Sequence, residues 1–163
     1  MLLLFCGIPA SGKTMIATEV AHKLKGRVIH IQSDILRQMI AKHVHDDMED
    51  EFIYNAMNCL ADAALKANYV VILDATYSRL EAREQSISTA KALGKKTLII
   101  HATCPLDAAI RRNRKRNNPI PEEIIKKFHE FFEEPLDALN IDLEAISVHK
   151  AAEIILSKIG YEV

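Results

Sequence analysis

Cysteine is scarce: Cys6, Cys59 and Cys104 are odd in number and show no CxxC spacing. That argues against a disulfide framework or a zinc site and leads us to expect a reducing, cytoplasmic setting. No apolar run approaches the roughly 18 residues that a membrane helix needs, so no membrane span is expected. The apolar start, residues 1–6, lacks the basic flank of a secretion leader and reads as a buried strand. Neither sign of charge dominates. A formal net charge of −1 gives no global attraction to nucleic acid or to an anionic membrane, so any such contact must rest on a local patch. Seven histidines show no metal-binding spacing, and His43 and His45 are expected in a loop. Repeats and linkers are also missing. With 49% apolar and 26% charged residues, the 163 residues are expected to form one domain, 1–163, around a single core.

The hydrophobic pattern alternates between short apolar runs and helical periodicity. Residues 2–6, ending at Gly7, suit a central parallel strand covered on both faces. Ile16, Ala17, Val20, Ala21 and Leu24 recur at helical spacing, with Gly26 as the expected cap. A second strand is expected over residues 27–31 and a short helix over 34–43. After the acidic stretch 46–51, Phe52, Ile53, Ala56, Met57, Leu60, Ala64 and Ala67 mark a longer amphipathic helix. Residues 69–73 read as the third strand. The next helix is expected to be capped by Ser78, with Glu81 in the capping-box position, and to stop at Gly94. Residues 97–102 form the fourth strand, and Pro105 opens a helix to about Arg112. Pro121 starts a helix with the stripe Ile124, Ile125, Phe128, Phe131 and Phe132, ended by Pro135. A fifth strand is expected at residues 144–148, before a last helix. The class is α/β: a three-layer fold with a mainly parallel five-stranded sheet flanked by helices.

One motif stands out against this background: Gly7-Ile8-Pro9-Ala10-Ser11-Gly12-Lys13-Thr14, which fits GxxxxGK[ST]. It follows a buried strand and opens a helix, the context in which such a phosphate-binding P-loop works. The loop of Gly7, Pro9, Ala10, Ser11 and Gly12 would wrap the phosphates, with its backbone N–H groups, which Pro9 lacks, and the helix dipole converging on phosphate oxygens. Lys13 would reach the outer phosphates, and the Thr14 hydroxyl could ligate Mg²⁺. A nucleoside triphosphate with Mg²⁺ is the expected ligand. No Asn-Lys-x-Asp stretch and no Asp-x-x-Gly after the third strand are present, which argues against a GTPase switch.

Three further constellations bear on the reaction. Asp34 and Arg37, at the end of the second strand, face the P-loop edge in a doubly wound sheet. Asp34 could accept a proton from an attacking hydroxyl and Arg37 could hold the acceptor; equally, they could be a helix N-cap and a solvated side chain. Asp74 ends the third strand and could hold Mg²⁺ or fix the geometry of Asp34 or Arg37. Residues 111–116 are basic at five of six positions, Asn113 excepted. They read as an arginine-bearing lid over about 111–121, a solvated helix end or a nucleic-acid patch. The acidic residues Asp46, Asp47, Glu49, Asp50 and Glu51 read as dipole-favoured carboxylates at a helix start.

In combination these residues resemble the P-loop kinase family that includes polynucleotide 5′-hydroxyl kinases and phosphoseryl-tRNA kinase, with zeta-toxin and antibiotic kinases more distant. The resemblance runs through Gly7 to Thr14, Asp34 with Arg37, Asp74-Ala75-Thr76 with Arg83, Arg112 with Arg116, and Phe131-Phe132-Glu133-Glu134-Pro135. It implies an ATP-dependent kinase with a general base at Asp34, an acceptor contact at Arg37 and phosphate contacts from Arg112 and Arg116. The acceptor hydroxyl would lie on a nucleic-acid end, an aminoacyl-tRNA or a small molecule. The tRNA-kinase branch carries an additional C-terminal domain for tRNA, whereas one more strand and helix are expected here after the lid segment, so a whole tRNA is expected only if a partner supplies that surface. The alternative is a nucleotide-gated regulatory protein acting on an RNA-modifying or other partner.

Overall fold

The computed structural model describes residues 1–40, 42 and 47–161. Its centre is β1 (Leu2–Cys6), buried along its whole length because both faces are covered. Leu3 and Phe5 point to one core, formed with α1 (Lys13–Lys23) and α7 (Val148–Lys158). Leu2, Leu4 and Cys6 point to the other, where Ile53, Met57 and Leu65 of α3 (Asp47–Lys66) pack. Alternation along the strand thus serves two cores, which is why β1 reads as a continuous apolar run.

The remaining strands are β2 (Val28–Gln32), β3 (Val70–Asp74), β4 (Thr97–Thr103) and β5 (Ala138–Asp142). They lie in the order β2-β3-β1-β4-β5, all parallel, with Phe5 opposite Asp74 on one side and Ile100 on the other. Every carboxyl end therefore falls on one edge. The chain runs from β1 outward to β2 and later to β4 on the opposite side, so β1 is the topological switch where such sheets bind ligands.

α2 (Ser33–Arg37), α4 (Leu80–Ala92), α5 (Leu106–Asn113) and α6 (Glu122–Phe131) complete the layers. Gly94, with φ of +62°, ends α4 as expected: Lys95 N–H bonds Ala90 O and Gly94 N–H bonds Lys91 O. No helix among the described residues is long and apolar enough to cross a membrane.

Several expectations are corrected. The fifth strand lies at Ala138–Asp142, ahead of 144–148, because Ala145 and Ile146 donate their N–H groups into a turn closed by Asp142 O. Ser147 then caps α7 by accepting from Lys150 N–H, which ends any extended run. α1 stops at Lys23, where buried Leu24 turns extended, and Gly26 lies in the following turn. α2 ends at Arg37, and His43, His45 and Asp46 lie outside the described residues. Ser78 does not cap α4: the Leu80 N–H bonds the Glu133 carboxylate, which arrives from 53 residues away. Phe52 and Leu60 of α3, and Ile124 and Phe131 of α6, are exposed members of the expected stripes.

Arg83 explains how the segment after α6 is held. Its side chain is buried, and it donates to Tyr77 O at 2.6 Å and to Glu133 O at 2.6 Å while lying 5.8 Å from the Phe132 ring centroid. Glu133 N–H bonds Ser78 O, and Phe132 stacks on buried His101. An Arg83→Met variant leaves two carbonyls without their charged donor. Urea unfolding is expected to show a loss of about 2–4 kcal/mol, with Arg83→Lys falling between it and the parent.

Candidate nucleotide and phosphoryl-transfer site

The chain leaves β1 through a turn that depends on two glycines. Gly7 has φ of +144°, and a Cβ there would lie 2.6 Å from Ala102 O and 2.8 Å from Ser11 Oγ. Gly12 has φ of +101°, and its Cβ would lie 2.5 Å from Leu143 Cδ1. Ala10 also takes positive φ, +65°. Ile8 O accepts from Ser11 N–H and, at 3.4 Å, from Lys13 Nζ, while Thr76 O accepts from Gly7 N–H. These bonds fold the loop around the start of α1.

That start is open. No side chain caps α1, and no acidic residue occupies its first turn. Ser11 Oγ is buried without a hydrogen-bond partner. Uncapped amides at the positive end of a helix, an orphaned hydroxyl and a backbone cradle with no room for Cβ atoms fit a phosphate group.

A cleft of about 1850 Å³ lies over this turn. Pro9, Ala10, Gly12, Lys13 and Thr14 line one side of it, and Asp34, Arg37 and Asp74 another. Arg112, in the last turn of α5, and Arg116, in the segment between α5 and α6, also line it. Gly7 and Ser11 lie behind the lining and shape the turn. Burial lowers the Lys13 ammonium pKa, the Asp74 and Asp34 carboxylates oppose that shift, and Arg116 adds to it. Lys13 therefore lies within the electrostatic reach of three of the residues singled out in the sequence.

Asp74 is buried and accepts from His30 Nε2 at 3.2 Å, while Gln32 Nε2 approaches His30 Nδ1 at 3.4 Å. The pair of contacts selects the Nε2–H tautomer and orients the carboxylate. Thr14 and Asp74 offer hard oxygen donors, the chemistry that suits Mg²⁺. Arg37 is more engaged than expected: it donates to Glu49 at 3.2 Å and to Asp50. The acidic start of α3 thus pairs across to α2 as well as lying at a helix N-terminus.

The basic residues of 111–116 go separate ways. Arg111 and Arg112 both donate to Glu144, and Arg112 Nη1 also donates to Ser11 O at 3.0 Å. Arg114 pairs with Glu122 at 2.7 Å, while Lys115 and Arg116 line the cleft. Asn113, buried, donates to Ile120 O and accepts from Ile120 N–H, closing the loop at its base. Glu144, Asn113 and His30 carry no sequence signal of these contacts, because their partners lie between 7 and 44 residues away.

Residues 2–135 match a family model described as an AAA domain. The chain belongs to that family. Across all of its length it is 28% identical to L-seryl-tRNA(Sec) kinase of Methanococcus maripaludis, covering 64% of that protein. Over 97% of its length it is 27% identical to the KTI12 homolog of Xenopus laevis, covering 59% of that one. The chain thus spans about three fifths of the length of these curated relatives. The Mycobacterium tuberculosis APS kinase CysC, solved with AMPPNP and APS, shares the fold with a TM-score of 0.77. That likeness has 20% identity and covers 98% of this chain and 96% of the other. The likeness to P-loop kinases seen in the sequence recurs in these comparisons, in the L-seryl-tRNA(Sec) kinase and in the fold of the APS kinase.

Gly12→Ala tests the cradle. AMPPNP binding by calorimetry is expected to weaken at least about tenfold, from backbone strain together with the Leu143 clash. Adding Leu143→Ala removes the clash but leaves the positive φ, so binding is expected to recover only in part.

Proposed function

We propose that this chain is an ATP-dependent kinase that moves the γ-phosphate of ATP to an acceptor hydroxyl. The observation that carries this reading is the shared cleft of Lys13, Asp34 and Asp74 with Arg112 and Arg116, at the carboxyl edge beside the open start of α1. In it, the P-loop amides and Lys13 bind the β- and γ-phosphates. Asp34 accepts the acceptor's hydroxyl proton as the new O–P bond forms, and ADP departs as the old bond to the γ-phosphorus breaks. Thr14 and Asp74 would hold Mg²⁺, which neutralises charge on the phosphate oxygens.

Residues 111–121 act as the lid, with Arg112 and Arg116 supplying positive charge and the loop excluding water. The buried Asn113 clamp supports that role, because it fixes the lid's base and leaves its tip exposed. Three of the five basic residues of 111–116 sit in carboxylate pairs, which supports the lid over a uniform nucleic-acid patch. The acceptor is a hydroxyl on a nucleic-acid end, an aminoacyl-tRNA or a small molecule. Three free thiols suit a cytoplasmic setting.

A second reading, a nucleotide-gated regulatory protein, draws on Arg37. Its pairing with Glu49 and Asp50 leaves the expected acceptor contact already engaged. Labelled ATP incubated with oligonucleotides, nucleosides and metabolites separates the two. Label on an acceptor supports the kinase; label confined to ATP, ADP and free phosphate across the panel supports the regulator. Within the kinase reading, Asp34→Asn is expected to lower transfer about 10²–10⁴-fold while AMPPNP affinity stays near parental. Transfer at the parental rate would remove Asp34 from the role of base.

A further inference from the structure

The turn after β5 touches both the P-loop and the lid. Asp142 sets its shape, accepting Glu144 N–H on Oδ1 at 2.8 Å and Ala145 and Ile146 N–H on its backbone oxygen. Leu143 is thereby laid over Gly12, and Glu144 is presented to α5. One Glu144 oxygen accepts from Arg112 Nη2 and the other from Arg111 Nη2 at 2.6 Å. Arg112 then has its remaining terminal nitrogen, Nη1, on Ser11 O at 3.0 Å and within 3.4 Å of Cys104 Sγ.

The guanidinium is thus held from two sides: by the carboxylate after β5, and by the P-loop carbonyl and the thiol after β4. Glu144 also bridges two adjacent cations, which offsets their mutual repulsion. A planar fork held at both terminal nitrogens loses little further freedom when a phosphate arrives, which is how a charged side chain is preorganised.

We infer that Glu144 is a positioning residue, setting Arg112 against the P-loop so that it meets the nucleotide's phosphates in place. This rests on the reading of Arg112 as a phosphate contact. The sign of the effect makes it decidable. A carboxylate acting on a triphosphate through space alone repels it, so neutralising the carboxylate tightens binding. A carboxylate acting through Arg112 has the opposite sign: its loss weakens binding.

The test is a double-mutant cycle on AMPPNP affinity, measured by calorimetry with Mg²⁺ and without acceptor. Glu144→Gln and Glu144→Ala are each expected to weaken binding about threefold to tenfold, and Arg112→Ala by about tenfold or more. In the Arg112→Ala background, Glu144→Gln is expected to add less than about twofold. Tighter or unchanged binding in Glu144→Gln overturns the inference. So does an equal loss with and without Arg112, the pattern of a merely structural carboxylate, which a lowered melting temperature would accompany. No acceptor is needed, so the result is independent of phosphate transfer. Coupled binding without transfer to any acceptor would overturn the kinase reading and leave the positioning role standing. Failure of the parent to bind AMPPNP would overturn both.

Discussion

Gly7 lies so close to the Ala102 carbonyl that a Cβ would sit 2.6 Å from its oxygen, and much of the architecture converges on that approach. β1 is flanked by β3 and β4 and buried between two cores, so it can leave the sheet only through its carboxyl end. The exit must turn tightly enough for α1 to pack back on the sheet, and positive φ at Gly7, Ala10 and Gly12 makes that turn. The same turn leaves the start of α1 without a side-chain cap, at the lining of the cleft. An anion-receptive helix start is therefore a consequence of how the central strand ends, with Lys13 added where the dipole already favours negative charge.

Charge around the cleft is arranged in opposed pairs. Asp74 is oriented by His30, Arg37 is bound by Glu49 and Asp50, and Arg111 and Arg112 share Glu144. Such pairing limits the conformational freedom of long side chains before ligand arrives, so less is lost on binding. It also accords with a chain of nearly neutral net charge, since Lys13, Arg37, Arg112 and Arg116 line the cleft together with the carboxylates of Asp34, Asp50 and Asp74. Below the cleft, Arg83, Phe132 and Glu133 fasten the segment after α6 to the start of α4. The base of the 114–119 loop is closed by Asn113, so both ends of the α6 region are tied to the scaffold.

Features whose hydrogen bonds or packing repeat within a few residues were legible from the sequence. The P-loop, the burial of β1, the αL stop at Gly94 and the apolar stripe of α3 are of that kind, because spacing and residue type alone imply them; that the core divides in two across the sheet is not. The placement of Asp34, Asp74, Arg112 and Arg116 in one cleft follows from parallel order, which the alternation of strands and helices already implied. Where the reading failed, local pattern met a distant competitor. Ser78 has the composition of an N-cap, but the carboxylate of Glu133 reaches the Leu80 amide first. Ala145, Ile146 and Val148 look like strand residues, but Asp142 and Ser147 draw their neighbours into a turn and a helix cap.

By itself the sequence determined the α/β class, the phosphate-binding turn and which side chains were available for chemistry, since each is written in short-range spacing. Only the tertiary structure decided that Glu144 holds Arg111 and Arg112, that Glu49 and Asp50 engage Arg37, and that Asn113 closes the loop it begins. Those decisions pair groups brought together by sheet order and helix packing. No local period encodes such a pair, because its geometry exists only once the layers have closed on one another.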